Sequence, residues 1–98
     1  MQPELDKVES FLLKIEQNEE TVFSQHPDYV LYPIVPFFQL VHIHNHEQVI
    51  DKILQFETIL GGFLIRVDGY ITLACPESSV LEDDLRRLTI QLLELMRF

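Results

Sequence analysis

The chain has a single cysteine, Cys75, so no disulfide can close within it, and a lone thiol is the pattern of a reducing compartment. The cytoplasm is the expected location. Cations are scarce as well: seven Lys and Arg stand against sixteen Asp and Glu, a net charge of −9. Nucleic acid and anionic membrane are both held mainly by basic surface, so neither is an expected partner. Only three glycines and five prolines are present, which excludes collagen-like and low-complexity classes. The opening residues Met1 to Asp6 lack the basic and apolar regions of a secretion signal. The longest run without Asp, Glu, Lys or Arg extends from Tyr29 to His46, but Pro33, Pro36, Gln39 and three histidines interrupt it. A membrane-spanning helix needs ~20 mostly apolar residues, so no membrane partner is expected.

What is present is enough apolar material for a core: 47% of 98 residues are hydrophobic. A second core would leave each half below self-supporting size, so residues 1–98 read as one domain. Leu5, Val8, Leu12 and Ile15 recur at helical spacing with Phe11 beside them, predicting an amphipathic helix over about 4–18. His26-Pro27-Asp28 reads as a turn. Pro33 and Pro36 restrict residues 29–35 to an edge strand or an extended loop. Phe37 to His44 has no such breaker and reads as the better strand.

Asn45 followed by Gln48 predicts a capped helix start. Its apolar stripe is Val49, Ile50, Ile53, Leu54, Phe56 and Leu60, and Gly61-Gly62 supplies left-handed residues to end it. Phe63–Val67 and Tyr70–Cys75 flank Asp68-Gly69, the strongest short hairpin signal. Pro76 closes the second strand, and Ser79 with Glu82 predicts a capping box. Leu81, Leu85, Leu88, Leu92 and Leu95 then mark a closing helix, with Glu82–Arg86 and Asp83–Arg87 at favourable i,i+4 spacing. The fold class is α+β: a small antiparallel sheet packed with three helices, in the order α-(β)-β-α-β-β-α.

Chemistry-bearing patterns are few. His42, His44 and His46 alternate, and in a strand residues two apart share a face, where two imidazoles can grip a metal. Short motifs match often by chance, so the preferred reading is polar histidines at a strand end, with no metal and no cofactor. A small metal- or ligand-binding regulatory domain built on those three histidines is the alternative. Cys75 ends an apolar strand and reads as a small buried hydrophobe. No Ser-His-Asp order, nucleophile elbow, P-loop or dinucleotide fingerprint occurs, and the chain reads as a non-enzyme.

The hairpin is apolar on both faces. The two-residue turn pairs Val67 with Tyr70, Ile65 with Thr72 and Phe63 with Ala74, leaving Leu64, Arg66, Ile71, Leu73 and Cys75 opposite. If the helices cover one face, the other awaits a second copy or a partner; if the first helix crosses over, the monomer is complete. A monomer with an open face would expose an apolar patch larger than the ~300–600 Å² of ordinary soluble monomers. The expected dimer or partner surface is Phe63, Ile65, Val67 and Tyr70, with Phe37 and Val41 as neighbours.

The order of elements resembles the YbjN-like and type III secretion chaperone-like fold. The likeness lies in the C-terminal half: a helix ending in Ile59-Leu60-Gly61-Gly62, the run Phe63-Leu64-Ile65-Arg66-Val67-Asp68-Gly69-Tyr70-Ile71-Thr72-Leu73, then Pro76 and a leucine-rich helix from Leu81 to Phe98. The segment from Glu19 to Phe37 is shorter and more proline-broken than that family's early β-meander. The same strand-Asp-Gly-strand-helix ending is similar to roadblock/longin-like dimerisation modules. The first resemblance implies a non-enzymatic homodimer, chaperone-like or adaptor, that binds a segment of another protein.

Overall fold

The computed structural model describes residues 3–40, 42–76 and 82–97, with side chains from residue 6 onward. The elements are α1 (Pro3–Gln25), β1 (Val30–Pro36), α2 (Phe37–Leu40), α3 (His46–Leu60), β2 (Phe63–Val67), β3 (Tyr70–Cys75) and α4 (Glu82–Met96). The fold is α+β. The side chain of Leu5, together with Val41, Ser79 and Leu81, lies outside the described residues, and with Ser79 goes the expected capping box.

The hairpin has its predicted register, Val67 opposite Tyr70 and Phe63 opposite Ala74. Asp68 and Gly69 both take positive φ, 51° and 79°, as a type I′ turn requires. β3 is central in the order β1-β3-β2, and all pairing is antiparallel.

The place beside β3 goes to the proline-bearing segment and not to Phe37–His44, which corrects the strand expectation. β1 pairs Val30 with Cys75, Tyr32 with Leu73 and Val35 with Ile71, and the register slips between Pro33 and Val35. Because Thr72 bonds toward Ile65 on β2, Pro33 opposite it turns its backbone outward. Its missing N–H therefore costs the ladder nothing. At the end of β1, Phe37 N–H donates to Gly69 C=O at 2.8 Å, and the chain turns into the single helical turn α2. Four helices, not three, are thus present among the described residues.

α1 outruns its predicted end near residue 18, because tertiary contacts reward the extra turns. Phe11 and Ile15 join the main core with Ile50, Ile53, Phe56, Leu64, Ile71, Leu73, Leu88 and Leu92. Further along the helix, Asn18 Nδ2 donates to Leu64 C=O and to Glu57 Oε2, each at 3.0 Å. Glu57 Oε2 also accepts from Leu64 N–H at 2.8 Å, while Oε1 pairs with Lys14 at 2.5 Å. The outward N–H and C=O of Leu64 on β2 are thereby satisfied by side chains where another strand would otherwise pair. One turn later Val22 packs on Ile65 and Ala74, on the second face of the sheet.

α3 starts where predicted but by another device. Asn45 occupies the N-cap position without a side-chain cap bond; its Nδ2 donates instead to Leu95 C=O at 2.9 Å, tying α3 to the end of α4. Gly61 ends the helix at φ 73°, its N–H bonded to Glu57 C=O. Lys7 reaches Asp51 at 2.5 Å, joining α1 to α3. On α4 the expected Asp83–Arg87 pair gives way to Asp84–Arg87 at 2.9 Å, and no ion pair joins Glu82 to Arg86 among the described residues.

Candidate functional site

The histidines do not converge. His42 and His44 are exposed, His46 is half-buried as the first residue of α3, and His46 Nε2 is buried without a hydrogen-bond partner. The alternating geometry fails because this segment is a short helix followed by a loop, so strand periodicity does not apply. No group of three or more His, Cys, Asp or Glu side chains suited to a metal ion occurs among the described residues.

Cys75 is fully buried at the end of β3, and burial pushes its thiol pKa up. A thiol kept protonated and away from solvent is a poor nucleophile. Alkylation by iodoacetamide at neutral pH should therefore be at least about a hundredfold slower in the native protein than in denaturant, because it must wait for opening. Comparable rates, read by mass spectrometry, would place the thiol at the surface.

The expected sheet surface is largely closed by the chain itself. Ile65 has 0% of its surface exposed, and Phe63 and Val67 are half-buried beside it. His26 stacks at 4.4 Å from Tyr29 and 5.7 Å from Phe63, ring centre to ring centre. The end of α1 and the turn after it therefore fold over the β2 side of the second face. Phe37 is half-buried on the opposite face, with the Arg66 guanidinium 4.1 Å above its ring, a cation–π arrangement. Of the named residues only Tyr70, 43% exposed, stays open, and Val41 lies outside the described residues. Tyr70 shares the second face with Leu31 and Pro33, both exposed on β1. What remains of the open face is this narrow strip on the β1 side.

A larger opening lies elsewhere. α2, the loop after it and the end of α4 enclose a groove of about 500 Å³ lined by Phe38, Gln39, His42, Ile43, Leu93, Met96 and Arg97. Phe38 and Leu93 are 62% and 54% exposed. The lining is mostly apolar, with Gln39, His42 and Arg97 as its polar groups, the usual composition of a binding concavity. Sequence reasoning missed it, although a signal was there: the stripe Leu85, Leu88, Leu92, Leu95 leaves Ile90 and Leu93 on the far side of their helix. Large aliphatic residues off the core stripe mark a second apolar surface. Phe38 and Ile43 gave no comparable signal, because the strand reading placed them in a sheet.

Among the described residues, no helix is long and apolar enough to cross a membrane. No protein-family model, curated protein or solved structure matches the chain.

Proposed function

We propose that the chain is a non-enzymatic, cytoplasmic protein-binding module, chaperone-like or adaptor, that acts as a homodimer and holds a segment of another protein. The observation that carries this reading is the groove between α2 and α4, lined by the exposed Phe38 and Leu93. Burying each of those side chains against a partner is worth about 1.5–3 kcal/mol, enough for two or three such contacts to anchor a segment. The resemblance to secretion chaperones points the same way. Self-association belongs to the strip Leu31, Pro33 and Tyr70, which carries no charge of its own and so lets two acidic chains approach.

Site-specific photocrosslinking tests both parts. A photoreactive phenylalanine analogue in place of Tyr70 should give an adduct of twice the chain mass, and light scattering at tens of micromolar, by order of magnitude the range of weak dimers, should agree. The same analogue in place of Phe38 should give a heavier adduct with a different protein, lost on Leu93→Asp while the melting curve stays unchanged. Failure of the Phe38 adduct removes the protein-binding reading; a monomer at Tyr70 removes the dimer.

A further inference from the structure

The outward side of α4 combines exposed aliphatic and basic side chains. Arg86, Ile90 and Leu93 recur at i, i+4 and i+7 on one face of the helix, Arg97 follows directly after its last residue and lines the groove beside Leu93, and all four are exposed. The core-facing residues Leu88 and Leu92 lie on the other side. Two large aliphatic side chains are thus bracketed by two arginines whose backbone positions lie about 16 Å apart along the helix direction. The other five Lys and Arg side chains are all engaged. Lys7 and Lys14 pair with carboxylates, Lys52 bonds Gln55 and Gln91, Arg66 covers Phe37 and Arg87 holds Asp84. Arg86 and Arg97 have no side-chain partner among the described residues, in a protein that carries sixteen acidic residues. Asp83 and Glu94 stand on one shoulder of the stripe. The groove, which shares Leu93 and Arg97 with it, opens on the other.

We infer that α4 and the adjoining groove receive an amphipathic helix of a partner protein whose apolar residues are flanked at both ends by carboxylates, so that they meet Arg86 and Arg97 while the apolar centre covers Ile90, Leu93 and Phe38. The inference rests on the protein-binding reading of the groove and adds the partner's chemistry. A second copy of this chain does not suit the face. A two-fold antiparallel pairing of α4 with itself sets Ile90 against Leu93 but also Arg86 against Arg97 at both ends, and like charges oppose it. An acidic partner meets the opposite arrangement: its carboxylates find the cations that this chain leaves unpaired. Charge at the rim sets selectivity, and the aliphatic centre sets affinity.

The test uses the full chain and two synthetic helical peptides with the same leucine-rich centre, one ending in Glu at both sides and one in Lys, with fluorescence anisotropy as readout. The Glu-ended peptide should bind about tenfold more tightly at low salt, from two rim charges turned from repulsive to attractive. The preference should shrink as salt rises. Arg86→Glu with Arg97→Glu should invert it, and Ile90→Asp with Leu93→Asp should abolish binding of both peptides without moving the melting temperature. Equal affinity, a preference for the Lys-ended peptide, or no binding of either overturns the inference. So does self-association that Leu93→Asp abolishes, because a second copy would then occupy the face. A Phe38 adduct that persists alongside any of these results leaves the protein-binding reading standing while this inference falls; loss of both removes both.

Discussion

Leu92→Asp should yield a chain with no cooperative melting transition, whereas Leu93→Asp, one residue later, should melt like the wild type. Leu92 is 1% exposed and belongs to the main core with Leu88, Ile53 and Phe56. An aspartate there either buries a charge with no partner or drags the end of α4 out of the core. Either route costs about 4–5 kcal/mol or more, comparable to the ~5–15 kcal/mol that holds a small domain together. Leu93 is turned about 100° further round the helix and is 54% exposed outside that core, so its replacement leaves the core untouched. Leu85→Asp should fall between them, because Leu85 is half-buried at the edge of the same cluster. Far-ultraviolet circular dichroism on heating checks the series. Three coincident curves would mean that α4 does not contribute its leucine stripe to the core.

Gly62→Ala should damage the protein more than Gly61→Ala, although Gly61 is the residue with the unusual backbone. Gly61 sits at φ 73° with open space around it, so an alanine there pays conformational strain of about 1–2 kcal/mol and meets nothing. At Gly62 a Cβ would stand 2.4 Å from Ala74 C=O and 2.8 Å from Cys75 Cβ. Those atoms belong to β3, which is bonded on both sides. Neither the strand nor the start of β2 can shift without disturbing the sheet, so the expected loss is about 3 kcal/mol or more. Chemical denaturation of the two variants measures the difference. A larger loss at Gly61 would show that the end of α3, and not its approach to β3, is the limiting feature. Sequence reasoning gave both glycines the same role as left-handed helix terminators; only Gly61 has it, and Gly62 serves close packing.

That divergence illustrates what was legible. Asp68-Gly69 set the hairpin and its register completely, because turn geometry acts within two residues. The stripes of α3 and α4 were readable because periodicity is a property of the element alone. The strand beside β3 was not. Phe37–His44 has better strand character than Val30–Pro36, but the choice depended on which segment reaches β3 and on whether Pro33 falls at an outward position, facts of register and not of composition. Asn45 looked like a cap and is instead a tie between α3 and Leu95. α1 continues past residue 18 because Asn18 and Val22 find partners on β2 and the second face, contacts distant in sequence. For the candidate site, Ile90 and Leu93 could have been noticed as off-stripe leucine-type residues, while the groove itself depends on where α2 folds against α4. The histidine alternation and the exposed position of Ile65 both followed from assumptions about strands and coverage that the tertiary packing removed.

The clasp on β2 has a consequence for the fate of the protein at high concentration. Fibres grow when strands of successive molecules add to a free sheet edge, each new backbone pairing with the last. At the β2 edge of this sheet Leu64 offers neither its donor nor its acceptor, because Glu57 and Asn18 already hold them. At the β1 edge Pro33 has no donor to offer, and the slip at Ile34 breaks the straight run of groups that an incoming strand would follow. A chain that is nearly half hydrophobic thereby has both sheet edges interrupted, at Leu64 and at Pro33, which hinders the continuous backbone pairing that polymerisation needs while leaving side-chain surfaces free to recognise a partner.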